Sequence, residues 1–378
     1  MPALSPIDGV LYGLAGVFLF CCLIQVFYQW FFFYRVSGFK EDQNPIRPQQ
    51  LPVSVIVCAR NELENLCKLI PLLLDQDYPE FEVIIIDDRS DDPMYDFMLD
   101  QKANHSRLKL VRINYTPEGM NPKKFALTMG IKSARYPNLL FTDADCFPAG
   151  RNWIAHMAPH LAGKEEIVLG YSPYFKEPGL LNLLIRYDTF YTAVQYFSFA
   201  LAGLPYMGVG RNLGYKKPLF MRLKGFYKHM PLNGGDDDLF VNRASTEDNI
   251  SMCLDPEAYT FSIPKKSFYT WYRQKTRHLS VSKHYKSSHI TLLGFLGGTQ
   301  ILFYLSMPAL FFVPMGWAFA LGGFLFRSLN QMLVMAAVKK KIQEPFSVWL
   351  LPWLDFVHGM LIFAFSIPAR FSKRATWI

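Results

Sequence analysis

The 378-residue chain is 51% apolar and carries a formal charge of +8. Its basic residues are dispersed and form no nucleic-acid-binding module, so the charge points to anionic lipid or an anionic substrate and away from nucleic acid. Its six cysteines make no metal-type spacing and read as reduced and mostly structural.

In chain order, the first element is an uncharged segment, residues 9–34, long enough to cross a bilayer as a helix, with Tyr28, Trp30 and Tyr34 placed like an interfacial belt. It lacks the basic start and small-residue cleavage site of a signal peptide. Arg35, Lys40 and Arg47 follow it and only Asp8 precedes it, so the positive-inside bias places the next segment in the cytoplasm.

Residues 51–279 alternate strands with helices, the pattern of an α/β layered domain. VSVIVCA (53–59) is a continuous apolar run of the buried parallel-strand kind, and the helix after it has Asn61 as candidate cap. FEVIIIDD (81–88) and RLKLVRI (107–113) are further strands; a helix from about Lys123 to Ala134 leads into the strand NLLFTDAD (138–145). No Gly-rich loop follows the first strand, which argues against a dinucleotide or P-loop site.

Ligands of open α/β sheets bind beyond the carboxyl ends of the strands, where this chain concentrates Asp87, Asp88, Asp143 and Asp145. If the last strand persists, Asp143 and Asp145 lie side by side, and a divalent cation relieves their repulsion. On spacing alone, two solvated carboxylates on a turn are the more common outcome of such a triplet. Lys123 and Lys124 open the intervening helix, and Lys124 is expected to be a solvated helix-end charge.

The helix near 179–203, LLNLLIRYDTFYTAVQYFSFALAG, is apolar and aromatic enough to pack in the core or to dip into a membrane interface, and the interface is the favoured expectation. GGDDDLF (234–240) stacks three acids where a helix N-terminus also welcomes them. WYRQKTRHLSVSKHY (271–285) reads equally as an interfacial amphipathic helix or an anion site. Three apolar blocks follow at 290–313, 316–338 and 346–368, the last two forming a hairpin with Lys339, Lys340 and Lys341 at its turn. Arg327 and Asp355 then fall at similar depths and are expected to pair, with Asn330, Gln331 or His358 nearby. Four full spans leave Arg370, Lys373 and Arg374 on the outer face, against the charge bias, so two to three C-terminal spans are expected.

Taken in order, VSVIVCARNE, IIIDDRSDD, KKFALTMGI, FTDADC, GGDDDLF and WYRQKTRH resemble the motif series of membrane-bound family 2 glycosyltransferases, which include ceramide glucosyltransferases and polysaccharide synthases. The resemblance covers about Val53 to His278. It implies a GT-A-type nucleotide-sugar-binding domain at 51–279, an N-terminal transmembrane helix at 9–34 and a C-terminal transmembrane region at 290–368. Ala59, Arg60, Glu62 and Asp88 would contact the base and ribose of a nucleotide-sugar donor, and Lys123 would lie near it. Asp143 and Asp145 would hold Mg²⁺ or Mn²⁺, Asp143 also lying close to the donor. Asp236 is the first candidate for general base, although Gly235 stands where the family usually has an acid, which keeps Asp237 and Asp238 in contention. The Q-x-x-R-W motif falls on Gln274, Arg277 and His278, where histidine replaces the tryptophan that stacks a sugar acceptor. That replacement tilts the acceptor toward a lipid or small alcohol. Arg211 and Asn212 are second-rank acceptor-side candidates.

The implied activity is inverting, metal-dependent transfer of a sugar from a nucleotide-sugar, UDP-linked by expectation, to a membrane-lipid hydroxyl, with the catalytic domain cytoplasmic. Alternatives are a processive polysaccharide synthase, a polyprenyl-phosphate acceptor and an inactive membrane-anchored scaffold.

Overall fold

The computed structural model describes residues 6–40, 51–312 and 314–371; Arg47, Lys373 and Arg374 lie outside them. The chain divides into two compact units, residues 40–285 and the N-terminal segment to Phe39 together with residues 286–371.

The 40–285 unit begins with β1 (Val53–Ala59), α3 (Leu63–Leu74), β2 (Phe81–Asp88), α4 (Met94–Asn104) and β3 (Leu108–Ile113), numbered after α1 and α2 of the other unit, which are Pro6–Phe27 and Tyr34–Gly38. It continues through α5 (Pro122–Ser133), β4 (Asn138–Asp143), β5 (Cys146–Pro148), α6 (Trp153–Met157), β6 (Ile167–Gly170) and α7 (Leu180–Leu201). The rest is β7 (Leu213–Lys216), α8 (Lys217–Arg222), α9 (Asp238–Ala244), β8 (Ile250–Cys253), β9 (Thr260–Ser262) and α10 (Phe268–Val281). All seven residues of β1 are buried, as its unbroken apolar run requires of a strand covered on both faces.

Among the described residues, seven strands form one mixed sheet in the order β3-β2-β1-β4-β7-β6-β8, and β5 pairs with β9 apart from it. β1 runs parallel to β2 on one side and to β4 on the other, with Cys58 in register with both Ile86 and Asp143. The chain builds outward from β1 through β2 to β3, then returns to lay β4 on the opposite side. That reversal leaves a crevice at the carboxyl ends of β1 and β4, where open α/β sheets bind their ligands.

Three expectations are corrected here. The last strand does not persist to Asp145: β4 stops at Asp143, and Ala144 and Asp145 form a turn before β5. Asn61 does not cap α3; it takes a left-handed φ of 55°, its side chain accepts from Asp91 N at 2.7 Å, and Asp92 Oδ2 accepts from Leu63 N at 3.2 Å instead. Nor does α7 present an apolar face to an interface. Leu180 is its one exposed residue, the Tyr196 hydroxyl donates to Gly170 O at 2.9 Å, and Asp188 pairs with Lys275 at 2.8 Å. A helix apolar all round is satisfied by burial in protein, and α7 finds it there.

In the second unit, α1 runs through a π-helical stretch (Tyr28–Phe33) into α2. α11 (Ser287–Ser306), α12 (Gly316–Ile342) and α13 (Leu351–Phe371) complete it. Four helices among the described residues are long and apolar enough to cross a membrane: Gly9–Gly38, Ser287–Phe312, Gly316–Ile342 and Val348–Arg370. Three of these four candidates are C-terminal. Of the expected belt, Trp30 and Tyr34 are exposed, but Tyr28 is buried and donates to Leu292 O. Lys339, Lys340 and Lys341 form the last turn of α12, which ends at a left-handed Gln343. Arg327 and Asp355 pair at 2.8 Å, both 1% exposed. Gln331 Nε2 joins them at 2.7 Å from Asp355 Oδ1, whereas the Asn330 side chain accepts from Trp30 Nε1.

Candidate active site

Asp143 ends β4 at the crevice, α5 delivers Lys123, and the loop before α9 delivers Asp236. The Lys123 ammonium lies 3.2 Å from Asp143 Oδ1 and 3.0 Å from Asp236 Oδ2, so one cation bridges carboxylates from two distant chain segments. Burial disfavours charge on both Lys123 and Asp236, but Asp143 and then Asp236 outweigh it at Lys123, and Lys123 outweighs it at Asp236. Lys123 is held protonated well above the ordinary lysine range. Asp236 is held below the ordinary carboxylate range, with Lys124 adding to the effect. A small cavity beside this bridge is lined by Cys58, Thr142, Tyr215, Gly210 and Asp237, among others.

The three successive acids of GGDDDLF divide into separate tasks. Asp237 caps α9: its Oδ1 accepts from Asp238 N and its Oδ2 from Gly210 N, both at 2.8 Å. Burial and then repulsion from Asp236 raise its carboxyl. Asp238 is buried, accepts from the Tyr285 hydroxyl at 2.7 Å and from Leu239 N at 2.7 Å, and is pushed up to about 7 by burial and then by Asp237. Of the three, Asp236 pairs with Lys123, while both carboxylate oxygens of Asp237 accept backbone N–H groups beside the same cavity. Gly235 has a φ of 80°, and a Cβ there would stand 2.6 Å from Leu239 Cδ1, which explains why no acid side chain occupies that position.

Asp143, Asp145 and Cys146 each offer a ligand atom within 4.8 Å of the others. The Cys146 thiol is fully buried, donates toward Asp145 Oδ1 at 3.3 Å, and is pushed well up, first by burial and then by Asp145. A neutral thiol is a poor ligand for a hard cation, so the usable donor set is the two carboxylates. Both are partly exposed, leaving space for water or phosphate oxygens, and this set fits Mg²⁺ or Mn²⁺. Glu62 faces the same pair: burial and then Asp145 raise its carboxyl, while Asn65 Nδ2, donating at 2.5 Å, and Lys265 oppose the rise.

Ala59 and Arg60 lie at the carboxyl end of β1, Ala59 buried and Arg60 partly exposed. Asp88 ends β2 with no exposure, its carboxylate accepting from Arg89 Nε at 2.8 Å. On the other flank, Arg211 donates to Ser262 Oγ at 2.7 Å and lies 4.6 Å over the Tyr174 ring, whose hydroxyl accepts from Gln274 Nε2 at 3.5 Å. Arg277 and His278 follow on α10 one turn later, Arg277 half-buried and His278 exposed. Asn212 is not available to a ligand. Its Nδ2 donates to Tyr171 O and Ala258 O, and its Oδ1 accepts from Trp153 Nε1, so it ties the fold together. The sequence reading missed Tyr174, which belongs to no motif, and misplaced Lys124, which is fully buried and donates to His229 O at 2.6 Å and Leu232 O at 3.0 Å.

Residues 54–221 match the family model for Glycosyl transferase family 2. The chain carries a family 2 glycosyltransferase domain. Poly-beta-1,6-N-acetyl-D-glucosamine synthase of Staphylococcus epidermidis is 36% identical over 93 residues, covering 25% of this chain and 21% of its own. The UDP-Glc:alpha-D-GlcNAc-diphosphoundecaprenol beta-1,3-glucosyltransferase WfaP of Escherichia coli is 28% identical over 128 residues, 33% of this chain and 47% of its own. The matched stretch thus spans less than half the length of either relative. Among solved structures, the mannosyltransferase PcManGT of Pyrobaculum calidifontis superposes with a TM-score of 0.60 at 18% identity, covering 89% of this chain and 99% of that one. The fold of this family 2 domain is accordingly GT-A-like, with a central mixed sheet.

Proposed function

We propose that this protein is an inverting hexosyltransferase that moves a sugar from a nucleotide-sugar, UDP-linked, to a hydroxyl of a membrane lipid. The observation that carries the reading is the convergence of Asp143, Lys123 and Asp236 at the crevice between β1 and β4. The lipid acceptor is supported by the four apolar helices in the same chain. It is supported too by a relative, WfaP, whose name specifies a diphosphoundecaprenol-linked acceptor.

In this reading the donor lies across the strand ends near Ala59, Arg60, Glu62 and Asp88, with its diphosphate beside Lys123 and Asp145. Arg277 adds a planar fork of donors to the diphosphate, and Arg211 and Gln274 shape the acceptor side. Asp143 and Asp145 would hold Mg²⁺ or Mn²⁺; the PcManGT structure, similar in fold, contains Mn²⁺ and GDP-Man. When bound, such an ion neutralises charge developing on the leaving diphosphate. Asp236 takes the proton of the acceptor hydroxyl as its oxygen attacks the anomeric carbon. The bond from that carbon to the diphosphate oxygen breaks on the opposite face, and its electron pair leaves with the diphosphate, so the centre inverts. Lys123 weakens Asp236 as a base while it bridges the two carboxylates, and an incoming diphosphate competes for that ammonium.

The name of the Staphylococcus epidermidis relative favours one second reading, processive synthesis of a polysaccharide, which product length separates from single transfer. The test compares lipid extracts, by mass spectrometry, from cells expressing the wild type and Asp236→Asn. Single-transfer chemistry gives one lipid species heavier by one sugar in the wild type and none in the variant. The same species in both would end the proposal; long polymer would favour the second reading.

A further inference from the structure

Beyond the small part its charge plays in holding Asp236 low, Lys124 has no use in the chemistry described above, yet its side chain is fully buried. Burying an ammonium is costly unless it is well bonded, so its partners indicate what it is for. Those partners are two backbone carbonyls, His229 O at 2.6 Å and Leu232 O at 3.0 Å, both in the loop that leads to Asp236. Apart from one 3₁₀ turn (Tyr227–His229), residues 227–237 have no regular structure to hold them. They include Gly234 and Gly235, both at left-handed φ. Asn121, the N-cap of α5, grips the same loop: its N donates to Met230 O at 3.0 Å and its Nδ2 to Asn233 Oδ1 at 2.8 Å. Just ahead of this loop in the chain, Arg243 of α9 donates to Leu223 O at 3.1 Å and to Gly225 O.

The first turn of α5 therefore faces two ways. Lys123 points to the carboxylates, and its neighbour Lys124 fastens the segment that carries one of them. We infer that Lys124 and Asn121 are positioning residues that clamp the 227–235 loop and so fix the reach of Asp236 into the site, an inference that rests on the proposed role of Asp236. The negative field of Asp236, Asp237 and Asp238 favours the Lys124 charge and offsets part of the burial that brings it down to about 8. Methionine at this position would preserve the packed stem and remove both carbonyl bonds.

The test uses full-length protein in detergent, with UDP-glucose and UDP-N-acetylglucosamine as donor probes, a lipid extract as acceptor, and UDP with Mn²⁺ as binding probe. In Lys124→Met, kcat falls about 10- to 100-fold, the cost of a base displaced by about 1 Å, while donor KM and UDP affinity stay within about twofold. Amide hydrogen exchange at residues 228–237 speeds up by about tenfold or more, and exchange in β1 and β4 is unchanged. Asn121→Ser keeps a capping oxygen for α5 but loses the donor to Asn233, and gives a smaller change in the same direction, so a Lys124→Met protein that fails to fold does not remove the test. Wild-type exchange at 228–237 in both variants, or wild-type kcat with a loosened loop, overturns the inference. Asp236→Asn measured alongside separates the two readings: full turnover in that variant removes the role of the base, while the exchange data still judge the clamp.

Discussion

At Asp238 one proton ties the site to stability. Its carboxyl, ordinarily near 3.8, is pushed up to about 7 by burial and by Asp237 beside it, with the Tyr285 hydroxyl and Leu239 N opposing the rise. Between those two values the folded protein holds a proton that the unfolded chain has released, so stability falls as pH rises through that window. Asparagine keeps the shape, accepts from Leu239 N, donates to the Tyr285 oxygen and never ionises. Asp238→Asn should therefore melt close to the wild type at pH 5 and several degrees above it at pH 8. Melting curves of the detergent-solubilised proteins at the two pH values measure this, and a gap that does not widen with pH contradicts it. The separate roles of these acids were only partly legible in the sequence. Sequence places three aspartates before a helix, but which one caps it depends on Gly210 arriving from another segment, and which one reaches Lys123 depends on the left-handed backbone at Gly235. The burial of Lys124 was hidden for the same reason: nothing at the start of α5 announces that residues 229–233 will fold over it.

Among the elements, β1, β2 and β4 were readable because a continuous apolar run in an α/β chain matches a buried parallel strand, and the acids that end β2 and β4 mark the carboxyl ends at a ligand crevice. α7 was not, since an all-round apolar helix looks the same whether protein or lipid covers it. The Arg327–Asp355 pair was legible from cost alone, because neither charge is tolerable without the other in an apolar helix. The structure adds its connections. Arg327 donates to Gln25 Oε1 on α1 and to the Tyr304 hydroxyl on α11, and Asp355 on α13 accepts from Tyr304, Gln300 and Gln331, so the network joins all four helices. Removing one member strands the other, at about 3–5 kcal/mol, whereas removing both avoids an uncompensated charge. Arg327→Leu and Asp355→Leu should each lower the melting temperature in detergent by more than the double variant does. Additive losses in the double variant would mean that the two residues act independently.

For the whole molecule the open quantity is sidedness, and the charges bounding the spans propose an answer. Arg35 lies in the last turn of the first apolar helix, Lys40 follows it, and Lys339, Lys340 and Lys341 close the third, so the proposal drawn from the bias for basic residues at the cytoplasmic face is that residues 51–285 lie on that side. Arg370 at the end of the fourth helix, with Lys373 and Arg374 beyond it in the sequence, runs against the bias, but these three are outnumbered by Arg35, Lys40 and the lysines at 339–341. A catalytic unit on that side would take the proposed donor from the cytoplasm. The chain carries its own reporter: Cys67 on α3 is exposed, while the other five cysteines are buried. A membrane-impermeant maleimide should leave the protein unlabelled in intact cells and label it once the cells are permeabilised, and Cys67→Ser should abolish that signal. Labelling of the wild type but not Cys67→Ser in intact cells would put the catalytic unit outside, cut off from a cytoplasmic donor, and the proposed reaction would need a donor on that face instead.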